Sequence, residues 1–157
     1  MYNIFMHWTK LANTFYKKIL FSALVLMSFV FITPKAHAAK LDVVPTFGSV
    51  HVGDNVKLRI VLSSSDQSAN AMSGTVSFSS NLLTLNSISK SDSIVSLWPV
   101  EPSYSNSAGT VNFEGVILNG YTGSSGTVLT LFFKAKASGT AKISFANASV
   151  LANDGQG

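Results

Sequence analysis

The side chains of this sequence that could act as nucleophiles, acids or bases are few and scattered. There is no cysteine, and His51 is the one histidine beyond residue 38. A serine nucleophile would need His51 as its base, yet His51 lies just before the Gly53-Asp54 turn, where an exposed loop histidine is expected. Glu101 and Glu114 are the carboxylate pair to consider for glycoside hydrolysis, but they fall in a Pro-flanked loop and at an outward strand position. We therefore predict that the protein is not an enzyme and has no catalytic residues.

Oxygen ligands for a hard cation occur at one turn near the end of the chain. Asn153 and Asp154 precede Gly155, and Asp66 offers a further carboxylate from another loop. Such oxygens are the ligands that Ca²⁺ prefers, so a structural calcium site is one interpretation. Asn-Asp-Gly is also a sequence that favours a tight turn with positive φ, and such a turn needs no metal. Both interpretations remain open, and no other cofactor is expected.

Aromatic residues outside the inward strand positions are the candidates for contact with a sugar. Pyranose rings stack on exposed aromatic rings while neighbouring polar side chains bond the hydroxyls. Trp98 is followed by Glu101 and Tyr104 in a loop-rich stretch, and Tyr121 lies in a second one. We predict a glycan-binding surface from these four residues. The alternative is that Trp98 is buried and closes one end of the fold.

The elements that must position these residues are β-strands, because apolar residues alternate with polar ones along the chain beyond residue 38. Val56 to Leu62 shows the pattern, with every second residue apolar and Lys57, Arg59 and Val61 between them. Further inward positions are Met72, Val76, Phe78, Val111, Phe113, Ile117, Leu129, Leu131, Phe133, Ala135, Ile143 and Phe145. These runs predict half-buried strands.

Clusters of turn-forming residues separate the strands, and no helical spacing is sustained between them. The predicted turns lie at 53–54, 63–70, 79–81, 89–93, 119–126, 138–139 and 153–157. Short strands punctuated in this way are typical of antiparallel folds rather than of βαβ units. We predict an all-β fold, a two-sheet antiparallel β-sandwich with jelly-roll topology.

The first 38 residues have the pattern of a signal peptide. Lys10, Lys17 and Lys18 precede an apolar run at 19–32, and Ala36-His37-Ala38 has the small residues that a signal peptidase requires. The run is shorter than the about 20 residues that span a bilayer, which favours a cleaved signal over an uncleaved membrane anchor. We predict a secreted protein, extracellular or at the cell surface, with no membrane insertion of the mature domain.

Removal of this segment changes the charge of the chain. Four of the 11 Lys+Arg residues lie before residue 39, which leaves seven against seven Asp+Glu. A neutral mature chain gives no reason to expect nucleic acid as a partner. Residues 39–157 are enough for one domain, and without cysteines its stability must come from packing or from a bound ion.

Several segments, in this order, resemble successive parts of a cohesin-type domain. Each is only a strand with its turn, but their order and spacing cover nearly all of residues 40–157. They are LDVVP at 41–45, VGD at 52–54, NAMSGTVSF at 70–78, SIVSLWPVEP at 93–102, GTVNFEG at 109–115, GTVLTLFFKAK at 126–136 and VLANDG at 150–155.

The resemblance implies a nine-stranded jelly roll that binds without catalysis. Cohesins hold the dockerin modules of polysaccharide-degrading enzymes, and the fold is similar to that of several cellulose-binding modules, so polysaccharide catabolism and carbohydrate binding are expected. The strand that presents polar contacts to dockerins corresponds to Ala71, Ser73, Thr75 and Ser77, which offer no carboxylate. Relatives continue past the Asn-Asp-Gly turn into a closing strand, so we expect this chain to lack its last strand.

Two classes of function follow from these observations. One is a scaffold or attachment domain whose partner is a dockerin-like protein module, held on a protein-partner face that includes Ser73, Thr75 and Ser77. The other is a module whose partner is a polysaccharide, held by exposed aromatic rings. A protein adhesion or structural module of the cell surface without glycan affinity is the alternative to both.

Overall fold

The computed structural model describes residues 39–46 and 49–154, and the predicted signal peptide at 1–38 lies outside them. Within the described residues no helix is long and apolar enough to cross a membrane. The described residues form six strands: β1 (Lys40–Pro45), β2 (Asn55–Phe78), β3 (Leu83–Ser89), β4 (Leu97–Ser105), β5 (Thr110–Ala135) and β6 (Ile143–Ala152).

Two long strands, β2 and β5, run through both layers of the sandwich. They pair antiparallel with each other from Asn55 opposite Lys134 to Ser77 opposite Thr110. The first layer consists of β1, residues 55–64 of β2, residues 123–135 of β5, and β3. The second layer consists of β6, residues 69–78 of β2, residues 110–121 of β5, and β4. All pairings are antiparallel, which confirms the predicted fold class.

The two layers enclose one apolar core. Phe133 of the first layer and Phe78 of the second meet edge to face, with ring centroids 5.0 Å apart. The predicted inward residues of β2 and β5 are buried, and Ile60, Val76, Val111 and Phe133 are fully so. Alternation outside the bulges is the reason, because a regular strand turns every second side chain towards the other layer.

Two predicted turns are wrong, because the segments 63–70 and 119–126 lie inside β2 and β5. Their small polar residues form irregular, bulged strand where the register shifts between Leu62 and Ala71. Bulges bend a strand and increase its twist, which lets one strand cross from the first layer to the second. Gly120 has a φ of 68° at this crossing, a conformation that glycine adopts without cost.

Two further expectations about side-chain placement are corrected. Val61, predicted to face outward, is buried, because the register shifts between Ile60 and Val61. Trp98 and Glu101 lie in strand β4 rather than in a loop. Strand β4 contains two prolines, which have no backbone N–H to donate. They are tolerated because β4 is an edge strand, paired only with β5, so that not every backbone N–H of β4 needs a partner in the sheet.

The strand number differs from the nine that the resemblance implies. Because β2 and β5 each contribute to both layers, the six described strands supply four segments to each layer. Residues 155–157 lie outside the described residues, so the expected absence of a closing strand stays a prediction.

Candidate functional site

The outer surface of the second layer is a flat face with almost no charge, which we call the neutral face. Three rows of side chains cross its four strands in the order β6, β2, β5, β4. The rows are Leu151–Ala71–Val116–Leu97, Ser149–Ser73–Glu114–Val100 and Asn147–Thr75–Asn112–Ser103.

Small side chains at the centre of the neutral face leave a shallow depression. Ala71 and Ser73 of β2 form its floor, and its volume is about 80 Å³. Glu114 and Val116 of β5 line one side, and Leu151 of β6 lines the other. The alternation of β2 explains this shape, because Met72 and its inward neighbours fill the core and leave only short side chains outside. The depression has room for one small side chain of a partner.

One end of the neutral face is apolar. Leu97 is 53% exposed, Val100 56%, Leu151 43%, and Leu118, two residues beyond Val116 on β5, 70%. Single exposed apolar residues are ordinary, but several on one flat face indicate an interaction surface. This end of the face would bury apolar area on binding a partner.

Charge and hydrogen bonding on the neutral face are sparse. Glu114 is the one charged residue of the three rows, and the described residues give it no ion pair. The Thr75 hydroxyl donates to the Asn112 side-chain oxygen across the strands at 2.8 Å. The neutral face therefore carries one carboxylate beside an apolar patch, with neutral polar groups at the far end.

The structure places the predicted protein-partner residues on one strand of this face. Ser73, Thr75 and Ser77 all point outward from β2 and are half-buried between neighbouring strands. Sequence reasoning did not include Leu97, Leu151 or Glu114 in the face. Leu97 and Leu151 could have been noticed as apolar residues at outward strand positions. Only the pairing of β4 with β5 and of β6 with β2 shows that both lie on the neutral face.

Three of the predicted glycan-binding residues lie on β4: Trp98, Glu101 and Tyr104. Trp98 is half-buried, the Lys90 ammonium lies 5.8 Å from its ring centroid, and the same ammonium contacts a Glu101 carboxylate oxygen at 2.6 Å. Tyr104 is 42% exposed, and its hydroxyl donates to the backbone oxygen of Asn86 at 3.1 Å.

The third predicted aromatic residue, Tyr121, lies on β5 and has different neighbours. It lies against Gly123 and Gly126, and its hydroxyl accepts the backbone N–H of Ser125. Among the residues that the structure describes, no ring contact joins Tyr121 to Trp98 or Tyr104. The glycan surface stays a prediction.

The remaining polar candidates have ordinary structural roles. His51 has a 91% exposed side chain, and its Nδ1 lies 3.4 Å from an Asp54 carboxylate oxygen. The side-chain oxygen of Asn153 accepts a hydrogen bond from Asn70 at 3.4 Å, and its backbone N–H donates to Ser68. In residues 39–46 and 49–154 no group of three or more His, Cys, Asp or Glu residues could hold a metal ion. Calcium at Asn153 and Asp154 stays a prediction.

The described residues form an antiparallel β-sandwich with one weakly charged outer face. The chain belongs to the cohesin domain family, whose model matches residues 42–157. Membership of this family makes the domain a non-catalytic binding module, as the sequence predicts. A comparison with curated proteins found no match.

Solved cohesins share the fold at low sequence identity. The sixth cohesin of scaffoldin B from Acetivibrio cellulolyticus, solved in complex with a dockerin, has a TM-score of 0.57 at 18% identity, over 72% of this chain and 85% of that one. A type I cohesin–dockerin complex from Clostridium thermocellum has a TM-score of 0.58 at 12% identity, over 73% of this chain and 88% of that one. The second type II cohesin of the scaffoldin ScaA from Acetivibrio cellulolyticus has a TM-score of 0.58 at 12% identity, over 71% of this chain and 73% of that one.

Proposed function

We propose that this domain is an attachment module that binds a dockerin-type protein module through its neutral face. The observation that carries the proposal is the depression over Ala71 and Ser73, flanked by exposed apolar side chains. Binding energy at protein interfaces is concentrated where an anchor side chain enters a desolvated pocket. The solved relatives in complex with dockerins support this class of partner.

The chemistry of the face indicates what the partner offers. An apolar ridge would cover Leu97, Val116 and Leu151, and a small side chain would enter the depression. A cation of the partner would lie opposite Glu114, the one carboxylate of the face. The polar row through Thr75 provides hydrogen bonds in place of charges. Association with polysaccharide breakdown would then come through an enzyme that carries the partner module.

The test is calorimetry of the full chain against a panel of type I and type II dockerin modules. Ala71→Arg fills the depression, and we expect it to weaken binding about thirtyfold or more, as loss of a hot-spot contact does. Ser87→Arg introduces the same side chain at an exposed position of the first layer, and is expected to leave binding unchanged.

Two results would overturn the proposal. If no dockerin of the panel binds the folded chain, the dockerin-type partner is wrong. If a dockerin binds and Ala71→Arg leaves its affinity intact, the partner uses another surface. Leu97→Ser, at a side chain 53% exposed, is a second variant that should weaken binding without disturbing the core.

We also infer that binding takes place outside the cytoplasm, because residues 1–38 have the pattern of a signal peptide. N-terminal sequencing of the exported protein is expected to begin at Ala39. A product that stays in the membrane fraction with residues 1–38 intact would favour the uncleaved anchor.

A further inference from the structure

The outer surface of the first layer differs from the neutral face in carrying a cluster of cations around one exposed aromatic ring. We call the surface formed by Lys57, Arg59, Phe132 and Lys134 the basic face. Lys57 of β2 lies opposite Phe132 of β5, and Lys134 follows two residues after that phenylalanine on the same side of the strand. Phe132 is 38% exposed although it lies in a central strand. The chain therefore leaves a large apolar ring in solvent between cations.

The cations of the basic face are not neutralised by neighbours. Among the described residues no ion pair involves Lys57, Arg59 or Lys134. The Lys57 ammonium lies 5.9 Å from the centroid of the Phe132 ring, and the Arg59 guanidinium donates one hydrogen bond to the Thr127 hydroxyl at 3.3 Å. Cations without counter-ions in the folded chain leave their charge available to an anionic partner.

The spacing of these groups follows from sheet geometry. Outward residues of one strand repeat at about 7 Å, and neighbouring strands lie about 4.8 Å apart. Lys57, Arg59 and Lys134 thus lie on a grid around Phe132, at the scale of the rings in a sugar chain. Thr84 and Ser87 of β3, opposite Lys134 and Phe132, extend the face with hydroxyl groups.

The backbone of this face argues against a peptide recognised by its main chain. β2 is paired with β1 and β5 here, and β5 is paired with β2 and β3, so the main-chain groups of both strands are occupied by neighbours. Peptides that bind through their backbone use a free sheet edge, and helical peptides use a groove. A partner lying on the basic face must be recognised by its anionic groups and its apolar surface.

We propose that the basic face binds an acidic polysaccharide, a polymer of uronic acid units. Carboxylates of the polymer pair with Lys57, Arg59 and Lys134, and one pyranose ring stacks on the exposed part of Phe132. Hydroxyls of Thr84 and Ser87 bond the sugar. This binding is separate from the proposed partner of the neutral face, so the domain holds a protein on one side and an anionic glycan on the other.

Affinity electrophoresis of the full chain through gels that contain polygalacturonate tests the proposal. The wild-type chain is expected to be retarded by polygalacturonate, and not by neutral xylan. Lys57→Gln, Arg59→Gln and Lys134→Gln combined should lower the affinity for polygalacturonate about tenfold or more, because three exposed ion pairs with the polymer are lost. A matched control removes three cations outside the basic face, by Lys90→Gln, Lys136→Gln and Lys142→Gln combined, and is expected to retain binding.

Substitution of Phe132 distinguishes a sugar ligand, which stacks on the ring, from a polyanion that binds by charge alone. Phe132→Ser is expected to weaken retardation by polygalacturonate several-fold while leaving any retardation by poly-L-glutamate unchanged. Poly-L-glutamate binding as tight as polygalacturonate, or equal losses in the two triple variants, would show attraction to any polyanion and overturn the proposal. Absence of retardation by polygalacturonate would also overturn it. The thermal midpoint of each variant shows whether a loss comes from unfolding.

Discussion

The neutral face and the basic face are built by the same two strands, yet they offer opposite chemistry. The outward residues of the first part of β2 include Lys57 and Arg59, whereas those of its last part are Ala71, Ser73 and Thr75. The inward residues of both parts are equally apolar and share one core. Packing therefore constrains one side of each strand and leaves the other side free to differ between layers.

Different interactions should provide the binding free energy on the two faces. On the neutral face the gain comes from removing apolar area from water, at about 25 cal/mol per Å². On the basic face it comes from charge pairs in water, which salt screens over about 10 Å at 0.1 M. Added salt is therefore a simple way to tell which face a ligand uses.

The largest expected effect comes from a residue that supports both faces. Phe133 is fully buried and meets Phe78 of the other layer, so Phe133→Ala should lower the free energy of unfolding by about 3–5 kcal/mol. Urea denaturation measures this, and both faces should lose their ligands over the same range of urea. Loss of one activity well before the other would contradict a single shared core.

A smaller effect is expected at the crossing between the layers. Gly120→Ala places a Cβ at a φ of 68° and against the Ser68 hydroxyl, which should cost about 1–2 kcal/mol for the backbone conformation and more for the clash. Gly53→Ala is the matched control, because Gly53 has a φ of 95° and nothing within 4 Å of an added Cβ. Equal losses of unfolding free energy in the two variants would show that the contact with Ser68 is easily relieved.

The smallest effects are expected from one carboxylate on each layer. Glu114→Gln should weaken binding of the protein partner by about fivefold at most and leave polygalacturonate unaffected. Asp42→Asn releases Lys40, which it contacts at 2.7 Å, and should strengthen polygalacturonate binding by a similar factor without changing the protein partner. Calorimetry with both ligands measures the two effects. If either variant changes both affinities alike, the faces are not independent.

The candidate site was only partly predictable from the sequence. Ser73, Thr75 and Ser77 follow from the alternation of one strand and from the resemblance to cohesins. Leu97 and Leu151 are more than 50 residues apart in the sequence. They lie in the same row of the neutral face only because β4 pairs with β5 and β6 pairs with β2. The basic face was missed for the same reason, since Lys57 and Lys134 are distant in sequence.

The sequence by itself determined the fold class and most of the inward residues of β2 and β5. Alternation with period two is a local property, and burial follows from it wherever a strand meets a core. Tertiary structure decided that residues 63–70 and 119–126 continue as strand, because bulges and a paired neighbour satisfy backbone groups that a turn would expose. It also decided which outward residues share a face, because that depends on register between distant strands.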